Sequence, residues 1–369
     1  MTLSRRELLT ASALLLGGPA AAWRAAGSEP APAGGNPIIL CWNENPYGPS
    51  PAARAAASEA IGSSCRYPDD ELEPLVQTLA ARAAVGTDQI VTGTGSGELL
   101  RALGMLCARA GGEIVAAQPT YAELTHYAES CGAKLSFVPV DRELRHDLAA
   151  MHAAVSARTR AVYLCNPNNP TGTALAAADI RAFVAALPPS VTTIVDEAYL
   201  DFVVGPGIAS VADLTHGERR VVVLRTFSKI HGMAGMRCGY AIARADVASE
   251  LADARMTTPN VFAVRAARAS LGDQAFLADC RRRILASRVR ITSALARLKL
   301  TYAEPQGNFV FFDTGMPLQR FTELMRARNI LVGRRFAPYD SWCRITIGTE
   351  TEIDAFLTAL PAVTGRGAS

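Results

Sequence analysis

The stretch richest in chemistry is Arg225-Thr226-Phe227-Ser228-Lys229-Ile230-His231-Gly232-Met233-Ala234-Gly235-Met236-Arg237. Apolar β-formers at 221–224 run into it, so it reads as the end of a buried strand followed by a loop. The hydroxyls of Thr226 and Ser228 and the guanidinium of Arg237 suit a phosphate, and the Lys229 amine suits a carbonyl that must become an imine. Of the 37 lysines and arginines only Lys134, Lys229 and Lys299 are lysines. In a chain that meets nearly every cationic need with arginine, a lysine among Ser, Thr and Gly marks a place where an amine must lose its proton. A guanidinium cannot.

The same texture recurs along the chain. Residues 89–100 read as strand, glycine loop and helix, and the N–H groups of Ser96 and Gly97 would open that helix as a phosphate cradle. The loop has no G-K-[ST] and lacks the third glycine of a dinucleotide fingerprint. Strands at 113–117, 134–140, 160–165, 191–195, 221–224 and 239–243 alternate with helical segments such as 174–187. That alternation predicts an α/β fold with a mostly parallel sheet flanked by helices. Tyr121, Asn169, Asp196 and Lys229 each follow a strand, and ligands of such sheets sit at the carboxyl ends of the strands. Together they describe a site for a planar, phosphorylated, pyridine-like aldehyde. Asp196 would keep a ring nitrogen protonated, Tyr199 and Asn169 would hydrogen-bond a phenolate oxygen, and Tyr121 would stack on the ring. Lys229, once freed by substrate, would move a proton.

With 369 residues, 49% of them hydrophobic, the chain can bury a large core in two subdomains. Its net charge of +3 is dispersed, with no basic run or basic-aromatic stripe, so nucleic acid is not an expected partner. The eight cysteines are scattered without a C-x-x-C pair and read as small core hydrophobes, not as metal ligands or disulfides. No metal site is expected. Residues 1–27 carry Ser4-Arg5-Arg6-Glu7-Leu8-Leu9, a short apolar run and Ala20-Ala21-Ala22, the pattern of a twin-arginine export signal. Export by the twin-arginine translocase would place the folded protein in the periplasm, and a mis-assigned start would leave it cytoplasmic. The expected division is an N-terminal arm and part of the small domain at 28–60, a large domain at 61–255 and a small α+β domain at 256–369. In the last, 259–300 reads as a long helical region, 307–312 and 343–348 as strands, and Thr349 with Glu352 as a capping box. Asp69 or Asp70 would cap the helix that follows Pro68.

From residue 36 onward the chain resembles the fold-type I pyridoxal-phosphate aminotransferases, and within them the histidinol-phosphate aminotransferase family. The resemblance rests on Asn43-Glu44-Asn45-Pro46-Tyr47-Gly48, Tyr67-Pro68-Asp69, Pro119-Thr120-Tyr121, the run from Asn166 through Asn169 to Gly172, and Asp196-Glu197-Ala198-Tyr199. The Lys229-to-Arg237 spacing and Arg344-Ile345-Thr346-Ile347-Gly348 complete the ordered set. It implies a pyridoxal 5'-phosphate enzyme with a Schiff base at Lys229, moving an amino group from an amino acid or histidinol phosphate to 2-oxoglutarate. It implies a homodimer in which Tyr67 reaches the neighbouring subunit's phosphate. Tyr47 and Arg344 would hold a substrate anion, with Asn308 a further contact. The family usually adds an arginine ahead of the last one. Here Arg334 and Arg335 are adjacent, their side chains would point to opposite faces, and Arg335 is the one expected to enter. Export would separate the enzyme from histidinol phosphate and favour an aromatic or other amino acid as donor. A related decarboxylase or lyase shares every cofactor motif, and a non-catalytic cofactor-binding domain would need a DNA-binding module that is absent here.

Overall fold

The computed structural model describes residues 36–109 and 111–366, so the twin-arginine segment lies outside the described residues. β1 (Ile38–Leu40) is followed by α1 (Pro51–Glu59) and α2 (Asp69–Ala83), then by β2 (Ile90–Gly93) and α3 (Ser96–Arg109). Next come β3 (Glu113–Gln118), α4 (Glu123–Ser130), β4 (Lys134–Pro139), α5 (Leu148–Ala153), β5 (Thr159–Cys165) and α6 (Ala177–Ala186). β6 (Thr192–Asp196), β7 (Val221–Thr226), β8 (Gly239–Ala243), α7 (Ala245–Ala254), α8 (Val261–Gly272) and α9 (Gln274–Arg297) follow. The chain ends with β9 (Phe309–Asp313), α10 (Leu318–Arg326), β10 (Ile330–Val332), β11 (Trp342–Thr346) and α11 (Glu350–Thr364).

The central sheet has seven strands in the order β2-β8-β7-β6-β5-β3-β4, and β8 runs antiparallel to both of its neighbours while the other pairs are parallel. This is the mostly parallel α/β sheet that the alternation of elements implies. Its strands are apolar runs because both faces are covered. Val162, Leu164, Val195, Val221 and Val223 point to one side, into a cluster with Leu79, Ile180, Phe183 and Val264. Ala161, Tyr163, Ile194, Val222 and Leu224 point to the other, against Leu99, Leu103, Leu124 and Leu251. Each fully buried aliphatic side chain contributes roughly 1.5–3 kcal/mol, so these two layers fix where the strands end.

A separate core gathers Phe309, Phe312, Phe321, Ile345, Phe356 and Leu360 around the antiparallel pair β9–β11 and the parallel pair β1–β10. β1 therefore carries residues from the start of the described chain onto the C-terminal sheets. Helix α8 lies in the 256–369 segment, yet its Ala263, Val264, Ala266 and Ala267 belong to the cluster under the large sheet.

Several elements differ from expectation. The helical region at 259–300 is two helices, broken after Gly272, where the Asp273 carboxylate caps α9 by accepting from the Phe276 N–H at 3.3 Å. Pro68, not Asp69 or Asp70, is the N-cap of α2. It makes no side-chain bond, and Asp69, Asp70 and Glu71 instead place negative charge in the first turn, where the helix dipole favours it. Cys65 and Cys131 are exposed, on a turn and at a helix end, so the reading of all cysteines as core residues holds only for part of the set. The capping box at Thr349 and Glu352 forms.

Candidate active site

β6 and β7 lie side by side and end at the same edge, which puts Asp196 and the loop after Thr226 together. Asp196 is 2% exposed. Its Oδ2 accepts from the Tyr163 hydroxyl at 3.3 Å and its Oδ1 from the Ala198 N–H at 3.1 Å. Burial raises the carboxyl from 3.8 to about 6, against the pull of those two donors and of the Lys229 charge. It is still largely ionised at neutral pH, a buried anion to which no cation among the described residues is bonded.

Lys229 is half-buried and donates from Nζ to the Asn43 carbonyl at 3.0 Å, with Nζ 5.4 Å from the centre of the Tyr199 ring. Burial first and the Arg344 charge second bring its ammonium down from 10.5 to about 8, a value that makes the free amine accessible near neutrality. Tyr199 is buried and packs edge-on against Phe309 at 4.9 Å. Its oxygen accepts from Asn43 Nδ2 at 3.1 Å and from Asn169 Nδ2 at 3.4 Å. Burial pushes the phenol well above its usual value, so it stays protonated. Burial does the same to Tyr121, whose ring joins the cluster on the Tyr163 face of the sheet.

The asparagines are held by the turn around them. Asn168 accepts from Thr120 Oγ1 at 2.8 Å and donates to the Pro119 carbonyl at 3.0 Å, tying this turn to the one that carries Tyr121. That leaves the neighbouring Asn169 facing the site, its Oδ1 accepting from Arg344 at 2.6 Å.

A second group forms at the start of α3. Thr226 pairs with Gly239, and Gly239 pairs with Gly93 of β2. A Cβ on Gly239 would come 2.3 Å from the Ser96 nitrogen, and one on Gly95, at φ +80°, 2.3 Å from an Arg237 guanidinium nitrogen. Gly239 is therefore required by close approach to backbone, and Gly95 by its left-handed conformation. Arg237 thus lies against the glycine turn that opens α3 and donates to the Ala234 carbonyl at 2.8 Å, while the Thr226 hydroxyl accepts from the Ser228 N–H at 3.1 Å. A helix N-terminus, hydroxyls and a guanidinium make a cradle for a dianion.

The third group comes from the C-terminal sheets. Arg344 is 7% exposed on β11. It donates to the Cys41 carbonyl at 2.7 Å as well as to Asn169, lies between the rings of Phe309 and Phe336 at 5.7 and 5.1 Å, and keeps a buried Nε without a partner. Arg334, not Arg335, shares the Phe336 ring with it, at 5.0 Å. Arg335 pairs at 2.5 Å with Asp340 on the surface, both side chains more than 60% exposed, so the expected entry of Arg335 is corrected: the ion pair holds it outward, and Arg334, itself exposed, is the one that reaches the Phe336 ring. Trp342 is packed on Phe311 at 4.9 Å. Asn308 spends its amide on the Asn43 and Glu44 carbonyls at 3.2 and 3.1 Å and leaves its buried Oδ1 unpaired. Tyr47 has Arg283 of α9 as its cation, 5.2 Å from its ring, and a buried hydroxyl without a partner. Tyr67 is 92% exposed on the turn before α2.

Asn43 and Thr346 also belong to the cluster. Neither is singled out by residue type, and the only signal is that both fall inside motifs that carry other site residues.

An amine with a depressed pKa, a buried carboxylate, a phenol with two amides and a dianion cradle are the donor set that pyridoxal phosphate requires, and the unpaired Arg344 Nε adds an anion seat. The residues fit that group. Residues 36–360 match the family of class I and II aminotransferases. The chain is 38% identical over 326 residues to a histidinol-phosphate aminotransferase of Moorella thermoacetica, covering 88% of this chain and 84% of that one. It is 37% identical over 322 residues to an aromatic amino acid aminotransferase of Rhodococcus jostii, covering 87% and 88%. Its fold matches the crystal structure of a histidinol-phosphate aminotransferase from Sinorhizobium meliloti in complex with pyridoxal-5'-phosphate, with a TM-score of 0.84, 30% identity and 94% of each chain covered. The chain belongs to the class I and II aminotransferases and is a pyridoxal-phosphate-dependent transaminase of the fold-type I class.

Proposed function

We propose that this enzyme carries amino groups between an imidazole-bearing or aromatic donor, histidinol phosphate or an aromatic amino acid, and 2-oxoglutarate. The observation that carries the reading is Arg344, buried with an unpaired Nε and lying 5.7 and 5.1 Å from the Phe309 and Phe336 rings, with Arg334 against the same Phe336 ring. A buried guanidinium between phenyl rings suits a substrate with an anion at one end and a flat, apolar body. The relatives named above divide between these same two kinds of donor.

Bound pyridoxal phosphate supplies an aldehyde for the amine and a ring that accepts electrons. In our reading Asp196 holds its anionic charge against the ring nitrogen, Tyr199 and Asn169 hydrogen-bond the ring oxygen, and Tyr121 covers the ring face. Ser96, Gly97, Thr226, Ser228 and Arg237 hold the phosphate. Lys229, its ammonium weakened by burial, gives up its proton, acts as nucleophile, and later takes the proton from the donor's Cα at Nζ. Arg344 grips the carboxylate or phosphate of the substrate. The exposed Tyr67 serves the phosphate of a second copy in a homodimer. The divisions at about residues 61 and 256 remain part of this proposal, with α8 docking across the second.

Residues 1–27 are proposed as a twin-arginine signal that delivers the protein to the periplasm. Changing Arg5 and Arg6 to lysine should hold it in the cytoplasm, and unaltered export would remove that reading. The donor is tested by mixing holoenzyme with histidinol phosphate, phenylalanine, tyrosine, alanine and aspartate without acceptor and following the long-wavelength cofactor absorbance. Histidinol phosphate or an aromatic donor should discharge it fastest, and Arg334→Ala should raise KM for the phosphate-bearing donor most. A preference for alanine or aspartate, or carbon dioxide release in place of amino transfer, would refute the assignment.

A further inference from the structure

Asn43 follows β1 with 1% of its surface exposed and φ of 55°. Left-handed backbone is cheapest for glycine, and a buried asparagine there calls for a use of its amide. The amide's orientation is set by Thr346. The Asn43 N–H donates to Thr346 Oγ1 at 2.8 Å, and that hydroxyl donates back to Asn43 Oδ1 at 3.2 Å. With Oδ1 taken, Nδ2 faces the Tyr199 oxygen at 3.1 Å. Meanwhile the Asn43 carbonyl accepts from Lys229 Nζ at 3.0 Å and from Asn308 Nδ2 at 3.2 Å. One residue thus bonds Lys229, Tyr199, Asn308 and Thr346, drawn from four separate segments.

Asn169 is locked in the same sense: Arg344 occupies its Oδ1, so its Nδ2 donates to Tyr199 at 3.4 Å. A phenol oxygen accepts twice and donates once. Two amides fill its accepting capacity, and among the described residues no hydrogen bond from the phenol to a protein acceptor is present. The proton has one direction left.

We propose that Asn43 is a positioning residue: its side chain, set by Thr346, turns the Tyr199 proton toward the cofactor's ring oxygen, and its carbonyl holds the resting Lys229 amine in the same cluster. The inference rests on the placement of Tyr199 at that oxygen and goes beyond it by naming what aims the phenol. Asn169 alone, with the longer contact, leaves the phenol free to swing.

The test reads the midpoint of the bound cofactor's absorbance in a pH titration of the holoenzyme, with no turnover involved. Tyr199→Phe removes the donor to the ring oxyanion and should raise the midpoint. Asn43→Gly keeps the backbone conformation and the carbonyl but loses the amide, so it should raise the midpoint by part of that shift. In the Tyr199→Phe background it should add nothing. Asn43→Asp offers the phenol a competing carboxylate acceptor and should shift the midpoint further than Asn43→Gly does. The inference is overturned if Tyr199→Phe moves the midpoint while Asn43→Gly and Asn43→Asp do not, or if the double variant shows the sum of the single shifts. A midpoint that Tyr199→Phe leaves unmoved would remove the placement of Tyr199 itself, and the role of Asn43 with it.

Discussion

Asp196→Asn should make the enzyme without its cofactor more stable. The carboxyl is buried, and its two partners, the Ala198 N–H and the Tyr163 hydroxyl, are both neutral. Its pKa in the folded chain is about 6 against the usual 3.8. A group with a raised folded pKa contributes stability that is fully present below its unfolded pKa and is lost as pH rises through the folded one. The loss therefore builds from about pH 4 to just above pH 6, and the gap between the two values corresponds to about 3 kcal/mol. Asparagine keeps the geometry: its Oδ1 accepts from Ala198, and its Nδ2 donates to Tyr163, whose hydroxyl can rotate. Urea denaturation of the cofactor-free protein should show the variant ahead by up to about 3 kcal/mol at pH 8 and level with wild type near pH 4. With the cofactor present the order should reverse, because the carboxylate then has a cation to meet. A variant that is less stable at pH 8, or whose advantage does not change with pH, would refute the account of Asp196 as an anion kept buried with neutral partners only.

Two further outcomes follow from the same geometry. Because burial and Arg344 bring the Lys229 ammonium to about 8, the rate of pyridoxal phosphate uptake by the cofactor-free enzyme should rise with pH by about tenfold per unit below that value and level off above it. Stopped-flow absorbance measures this, and a rise continuing toward 10.5 would contradict the assigned environment. Gly239→Ala should weaken cofactor binding by at least about tenfold, roughly 1.4 kcal/mol, in equilibrium dialysis. Its Cβ meets the Ser96 nitrogen at 2.3 Å and must push the helix start out of place, so unchanged affinity would show that the α3 N-terminus does not hold the phosphate.

What the sequence makes legible here is what one segment encodes by itself. Lys229, Asp196, Asn169 and the Ser96 loop stand out because a buried parallel strand must end in polar residues at the sheet edge, and that edge collects them. The break after Gly272 and the outward pairing of Arg335 with Asp340 are less visible. The first depends on which of several polar residues caps a helix, and the second on a one-residue phase along a short extended segment that no long strand fixes. Asn43 is out of reach for a different reason. Its importance comes from bonds to Thr346, 303 residues away, and to Lys229, 186 away, and nothing local distinguishes its amide from those of Asn45 or Asn166.

The same distinction divides the labour within the site. Asp196, Lys229 and the cradle around Ser96 and Arg237 are set by the large sheet, whose two buried layers leave their positions little freedom. Arg344, Phe309, Asn308 and Thr346 come from the C-terminal sheets and have their own core. Asn43 and Asn169 are where the two sets meet: Asn43 ties Lys229 and Tyr199 to Thr346, and Asn169 ties Tyr199 to Arg344. In the proposed placement, Asn169 links an anion on Arg344 to the phenol, and Asn43 links β11 to it. Tyr199 takes both bonds on one oxygen, so in the proposed placement the two halves of the site converge on the group that would face the cofactor.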